Sequence, residues 1–312
     1  MIDLHLHLDG SLTPSDVRLL ARLSSVTLPT EKDEELFSLL TATNTRSLSE
    51  YLEKFELPLS VLQSGEAVGI AVERLGDRLF DLGYSLAEIR FAPLLHLENG
   101  ASMRSIAEGA IAGAKRSRLP VGLIFCCMRG AEKEKNEETI ELAAEYKDAG
   151  VCGVDLAGAE AIYPTESYKE IFRLAAKENL NVTIHAGEAA GADSVLAALD
   201  FGAKRIGHGV AAAGNRALLE RVKRDGVTIE ICPTSNLQTR AVSSIEAHPI
   251  RFFLEDGVSC ALCSDNMTVS NTDVFREWEK IKSAFSFDDS VKARLFSSAS
   301  DASFMNKRIK RA

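Results

Sequence analysis

IDLHLHLDGS, residues 2–11, alternates apolar and polar side chains with the period of a β-strand. Asp3, His5, His7 and Asp9 share one face, and Ile2, Leu4, Leu6 and Leu8 share the other. The polar face presents two imidazoles one residue apart, a spacing that lets both reach one metal ion, with a carboxylate just beyond them. A lone histidine on such a strand reads as a hydrogen-bonded core residue. The pair, closing an apolar strand and followed by Asp-Gly, reads as a metal site.

Outward from this strand, the chain runs as helices from Thr13 to about Gly83: Pro14 to Leu23, with Thr13 as N-cap, then Glu31 to Leu40, Leu48 to Glu56 and about Gly65 to Leu82. Beyond that insertion a beat of short apolar strand, polar turn and amphipathic helix sets in, the signature of a parallel sheet. Strands are expected at Leu86 to Ala92, Val121 to Met128, Val151 to Leu156, Asn181 to Ile184, Arg205 to His208, Thr228 to Cys232 and Cys260 to Cys263. With the first they make eight. The intervening helices are expected at about Met103 to Arg116, Asn136 to Lys147, Glu166 to Lys177, Ala192 to Leu199, Ala217 to Lys223 and Pro249 to Glu255. Eight β/α units, with no G-x-G-x-x-G after the first strand, favour an α/β fold of the closed (β/α)8 TIM-barrel type over an open dinucleotide-binding sheet. Such a barrel needs about 250 residues. The surplus fits a helical insertion at 13–83 and a short helical tail after Val274, so residues 1–312 are read as one domain.

Composition bounds the partners. At 312 residues and 46% hydrophobic, the chain can bury a large core, and disorder is excluded. A net charge of -9, spread without a basic stripe, argues against nucleic acid and against an anionic membrane surface. No apolar run approaches the ~20 residues of a membrane span. A functional strand starting at residue 2 leaves no room for a cleaved leader. The six cysteines lie in apolar runs and read as reduced, so a cytoplasmic setting is expected. Cys260 and Cys263 form a C-x-x-C, but strand alternation sends their sulfurs to opposite faces, which argues against a redox pair.

In a parallel barrel, chemistry stands at the carboxyl ends of the strands. There the sequence places His5, His7 and Asp9, then Asp155 and Gly158, then His185 and Glu188 in HAGE, His208 in GHG, and Ser264, Asp265 and Asn266. Four of the six histidines are thus at strand ends. His96 and His248 lie elsewhere and read as structural or substrate-facing. Three imidazoles and a carboxylate suit one Zn2+ with an open position for water, whose pKa the metal lowers toward neutrality. Metal-assisted hydrolysis is the expected chemistry. Glu188, three residues past His185, can serve as a general acid if burial raises its pKa; the plainer reading is that it orients a ligand histidine.

HLHLDGS (5–11), EIRFAP (88–93), CCMR (126–129), DLAGAE (155–160), HAGE (185–188), RIGHG (205–209), ICPTSN (231–236) and CSDNMTVSNT (263–272) together resemble the adenosine deaminase family of the amidohydrolase superfamily. The blocks keep the family's order and span nearly the whole chain. The resemblance implies zinc ligation by His5, His7, His185 and Asp265, with His208 orienting the attacking water and Asp265 accepting its proton. It implies that Glu188 protonates purine N1, that hydroxide adds at C6 and that ammonia leaves. Asp9 is expected to receive a ribose hydroxyl, the Gly158 amide to meet N3, and the insertion at 13–83 to act as a lid. The family usually has a second Asp after the metal Asp, contacting N7. Here Asn266 stands there, a permanent neutral donor in place of a carboxyl that donates only when protonated. The MTVSNT that follows also lacks the proline common at that point.

The expected activity is therefore hydrolytic deamination of adenosine, and of 2′-deoxyadenosine, with a small purine nucleoside as substrate, no nucleic-acid or membrane partner, and the oligomeric state left open. The alternatives within this chemistry are an adenine deaminase and a deaminase of a modified adenine nucleoside, such as aminodeoxyfutalosine or an N6-substituted adenosine. A catalytically dead nucleoside-binding barrel is the alternative from another class. Two-metal relatives in the superfamily commonly carry a bridging lysine at the end of strand four, and DLAG has none.

Overall fold

The computed structural model describes residues 1–43, 45 and 47–305. Eight strands appear among them: β1 (Ile2–His7), β2 (Leu86–Phe91), β3 (Val121–Met128), β4 (Val151–Ala157), β5 (Thr183–Ala186), β6 (Arg205–His208), β7 (Thr228–Ile231) and β8 (Ser259–Leu262). β1 to β4 pair in sequence order, all parallel, and so do β5 to β8. Val154 bridges Val182 across the gap between β4 and β5, and Leu6 bridges Asp265 across the gap between β8 and β1. The ring is closed by backbone bonds on both sides of that second seam: His7 N–H to Asp265 O and Asp265 N–H to His5 O, each 2.8 Å. This is the (β/α)8 barrel.

Among the described residues, five helices lie between β1 and β2: α1 (Pro14–Leu23), α2 (Asp33–Leu40), α3 (Leu48–Leu52), α4 (Glu56–Ser60) and α5 (Gly65–Asp81). The remainder are α6 (Met103–Arg116), α7 (Lys133–Glu145), α8 (Lys169–Lys177), α9 (Ala192–Asp200), α10 (Arg216–Arg224), α11 (Pro233–Gln238), α12 (Ile250–Glu255), α13 (Val274–Phe285) and α14 (Asp289–Ala302). Start signals account for several of them. Thr13 and Asp16 form a capping box at α1, Ser102 and Ser105 another at α6, and Asp273 caps α13. α5 and α6 approach so closely that a Cβ at Gly109 or Gly113 would overlap the carbonyl of Gly65 or Gly69. The main apolar cluster fills the layer between strands and helices, from Leu6 on β1 and Leu8 just after it to Trp278 and Ile281 on α13. Cys260 belongs to that cluster and Cys263 to a separate one beside Leu4 and Ala299, as strand alternation requires.

The barrel interior is charged at mid-depth. Glu88, Arg90, Asp155, Arg205 and Glu230 are all fully buried. Arg90 pairs with Asp155 at 2.8 Å and with Glu230 at 3.0 Å, while Arg205 pairs with Glu88 at 2.6 Å and with Glu230 at 2.7 Å. Every charge has a partner of opposite sign, the condition under which burial of charge is tolerated. Arg205, at the start of β6, also stacks on Phe304, 3.7 Å from the ring centre. No helix among the described residues is long and apolar enough to cross a membrane.

Candidate active site

Directly above this charged layer, four donor side chains converge. His7 Nε2 lies 3.2 Å from His185 Nε2, and Asp265 Oδ1 lies 3.4 Å from His5 Nε2 and 3.5 Å from His7 Nε2. All four ligand atoms fall within 4.8 Å of one another. A tetrahedral site with metal–donor bonds of about 2.05 Å has donor–donor edges of about 3.3 Å, so the spacing matches. His5 Nε2 is buried without a hydrogen-bond partner, as a nitrogen reserved for a metal must be. The donor set therefore fits a divalent ion of the zinc type. A second grouping, His208 with Cys232 and Asp265, is less suited, because burial raises the Cys232 thiol far above its ordinary pKa and keeps it protonated.

The charged layer orients these ligands from below. His5 Nδ1 donates to Glu230 Oε2 at 2.7 Å, and His185 Nδ1 lies 2.8 Å from Asp155 Oδ2. Each imidazole thus turns its Nε2 upward, the arrangement that carboxylates impose on metal-binding histidines. Burial and the Arg90 charge push His5 down, but the neighbouring Asp265 and Glu230 carboxylates outweigh them and raise it to about 9. Burial drives His7 and His185 below their ordinary values. Burial also opposes ionisation of Asp265, yet its contact with His5 keeps it far below the usual carboxylate range, as an anionic ligand requires.

His208 and Asp265 both sit in left-handed backbone conformation, φ 64° and 61°. Such a conformation is uncommon for residues with a Cβ and marks functional turns. Gly158 and Gly187 take φ of 103° and 73° in the corresponding turns after β4 and β5. The HAGE turn is shaped by Glu160, whose carboxylate accepts the backbone N–H groups of Gly187, Glu188, Ala189 and Ala190 and the Ser194 hydroxyl. Held by that anchor, Glu188 faces into the pocket, with Oε1 accepting from Thr239 Oγ1 at 3.0 Å and Oε2 3.6 Å from His208 Nε2. Burial and the Asp265 charge push Glu188 up to about 7. Burial likewise lifts Asp9 to about 6 and drives His208 down to about 4.

The pocket above is lined by His7, Asp9, Gly158, His185, Glu188, His208, Asp265 and Asn266 from strand ends. Its far wall is apolar, with Tyr51 and Leu52 on α3, Phe55 between α3 and α4, and Leu59 on α4. His5 lies just below, fully buried. His96 and His248 are buried but do not line it. Asn266 donates from Nδ2 to Asp265 Oδ1 at 2.6 Å, and its Oδ1 is turned against Gly10. A Cβ on Gly10 would overlap that carboxamide. Gly10→Ala should therefore displace Asn266 and disturb Asp265 at an overpacking cost of about 1–3 kcal/mol. The expected outcome is a folded protein with a lower melting temperature and at least about tenfold slower turnover, read by thermal unfolding beside steady-state kinetics.

The adenosine deaminase family model matches residues 1–312. The chain belongs to the adenosine deaminase family. It is 41% identical to the adenosine deaminase of Haemophilus ducreyi over 322 residues, covering 100% of this chain and 94% of the relative. The Clostridium acetobutylicum adenosine deaminase is 36% identical, with 99% and 94% covered. Among solved structures, the adenine deaminase from Arthrobacter aurescens superposes with a TM-score of 0.88 at 25% identity, covering 97% of this chain and 93% of that one. The N6-methyl-AMP deaminase of Arabidopsis thaliana gives 0.86 at 26% identity, covering 99% and 93%.

The residues that the sequence does not single out are the supporting ones. Glu230 in TIEI and Arg90 in EIRF carry a faint signal, a charge within an apolar strand. Thr239 and Tyr51 carry none.

Proposed function

We propose that this member of the family hydrolyses the C6 amino group of adenosine and 2′-deoxyadenosine, giving the inosine nucleosides and ammonia. The observation that carries the reading is the convergence of His5, His7, His185 and Asp265 beneath a pocket into which a buried, readily protonated Glu188 projects. These four residues would hold one zinc ion, whose contribution when bound is a hydroxide nucleophile at neutral pH. Glu188 donates its proton to purine N1, which makes C6 electrophilic. His208 orients the incoming water and Asp265 takes its proton. Asp9 receives a ribose hydroxyl, the Gly158 amide meets N3, and the Asn266 amide stands beside N7. The insertion at 13–83, within a single domain of 1–312, acts as a lid whose apolar residues keep bulk water from the reaction.

Relatives named adenosine deaminase reach 41% identity, against 25–26% for the adenine and N6-methyl-AMP deaminase structures, which supports the nucleoside over the free base and the nucleotide. A second observation supports the same choice. Arg129 is the one guanidinium among the described pocket-lining residues, and it donates to Tyr163 O, Thr165 Oγ1 and His185 O. A 5′-phosphate would meet a guanidinium whose two terminal nitrogens are already engaged and whose Nε is buried. The partner is a small nucleoside rather than a nucleic acid or a membrane. The six cysteines are buried and none is in a disulfide, which supports a cytoplasmic setting.

The test is an ultraviolet deamination assay of zinc-loaded protein with adenosine, 2′-deoxyadenosine, adenine, AMP and N6-methyladenosine. kcat/KM for adenosine should exceed that for AMP and adenine by at least about 100-fold. Silence on adenosine in protein holding one zinc per chain overturns the reading in favour of adenine or a modified nucleoside.

A further inference from the structure

Behind His208 runs a chain of buried hydrogen bonds whose direction is fixed at its far end. The Ile250 backbone N–H approaches His248 Nδ1 at 3.1 Å, and a backbone N–H only donates. His248 Nδ1 is therefore the acceptor nitrogen. Burial keeps this imidazole neutral, with a pKa of about 3. Its proton consequently sits on Nε2, which lies 3.2 Å from Asn236 Oδ1. The other end of the same amide, Nδ2, donates to His208 Nδ1 at 2.9 Å. His208, Asn236 and His248 are each at least 97% buried, so no solvent competes for these bonds.

We infer that Asn236 and His248 are positioning residues that lock His208 as its Nε2–H tautomer, so that it offers the pocket a hydrogen-bond donor and never a proton-accepting nitrogen. The inference rests on the proposed deamination and deepens it. A neutral His208 whose only lone-pair nitrogen is engaged by Asn236 orients the water oxygen but does not take its proton. That leaves the proton to Asp265, whose carboxylate faces the same space. Asn236 is placed for this work by the short helix α11, where its own N–H donates to Cys232 O and its carbonyl accepts from Val242. The Pro233 that begins α11 fixes the entry of the helix without needing a donor.

Asn236→Asp tests the relay with nearly no change of shape. A carboxylate accepts from both neighbours, so His208 must carry its proton on Nδ1 and turn a bare Nε2 to the pocket. In protein labelled with 15N-histidine, long-range 1H–15N spectra should show His208 as the Nε2–H tautomer in the parent and bearing a Nδ1 proton in Asn236→Asp. With zinc content and KM for adenosine within about twofold, kcat should fall by about 100-fold; a wrong tautomer in a catalytic triad costs up to about 10⁴-fold. His248→Gln, whose amide N–H can still donate to Asn236 Oδ1, should keep the tautomer and most of kcat, whereas His248→Phe should lose about tenfold. Should Asn236→Asp not fold, the His248 pair and the parent spectrum decide. A Nδ1–H tautomer in the parent, or full kcat in folded Asn236→Asp, overturns the inference. A parent that shows the Nε2–H tautomer but leaves adenosine untouched refutes the proposed substrate and leaves the relay standing.

Discussion

Glu188→Gln should keep its fold and its metal and lose about 10³-fold or more in kcat on adenosine. The carboxamide preserves the bond from Thr239 Oγ1 and the shape of the side chain, turns an amide N–H toward His208 where an oxygen stood 3.6 Å away, and removes the transferable proton. General-acid catalysis of this kind is worth about 10²–10⁴-fold, and no other carboxyl in the pocket has the same position to replace it. The pH dependence follows from the raised pKa. With the carboxyl at about 7, kcat/KM in the parent should decline on the alkaline side as Glu188 loses its proton, and that limb should vanish from the residual activity of the variant. Stability should move the opposite way. Burial penalises the ionised form, so the folded state binds this proton more tightly than the unfolded state, and stability is lost as pH rises from about 4.5 through about 7. A glutamine carries no such penalty. In metal-stripped protein, where no cation offsets the effect, Glu188→Gln should unfold like the parent near pH 4 and become more stable by on the order of 2–3 kcal/mol above pH 8. An equal response at both pH values would show that the carboxyl is ionised and solvated, and hence unfit as the acid.

What could be read in the sequence follows the reach of each signal. Apolar runs bounded by turns give β3 and β6 to the residue, and capping residues give the full extents of α1 and α6. Those signals are local. The expected helix from Leu48 to Glu56 is instead α3, a turn of 3-10 helix at Glu53–Phe55, and α4. Pro58 has no N–H to give to the preceding turn, so the helix cannot run through it unbroken, and the break lets Tyr51 and Phe55 both reach the pocket. β5 begins at Thr183, two residues later than expected, because its pairing with β6 runs through His185 and Gly207. α11 is absent from the sequence reading altogether, since PTSN is rich in residues that favour turns. The four candidate metal donors that the sequence places at strand ends do converge, because a parallel barrel collects strand ends at one face, and histidines there are few and clustered. Their supports are not legible in this way. Glu160, 28 residues before Glu188, and His248, 40 residues after His208, become partners only through the fold, and nothing in either segment marks the pairing.

Glu230→Gln should be the most destabilising single-atom exchange at the barrel centre. One carboxylate accepts from His5 Nδ1 at 2.7 Å, from Arg90 at 3.0 Å and from Thr183 Oγ1 at 3.1 Å, and pairs with Arg205 at 2.7 Å, all fully buried. Although burial opposes its ionisation, Arg90 and Arg205 hold its pKa far below the ordinary carboxylate range. Its stabilising contribution is thus present above about pH 4.5 and is lost only as the solution becomes strongly acidic. A glutamine leaves the two guanidinium groups with Asp155 and Glu88 alone and sets an amide N–H against one of three donors. Breaking a buried pair from one side costs about 3–5 kcal/mol. The same exchange loosens His5, and removing the carboxylate behind a metal-binding histidine weakens metal affinity about 10–100-fold. Denaturant unfolding of metal-free protein measures the first effect and competition with a chelator the second. Glu230→Asp separates them: it restores the charge between the arginines but stops one methylene short of His5. Recovery of stability without recovery of metal affinity is the expected result. If both recover together, the charge alone matters, and Glu230 does not act by aiming His5.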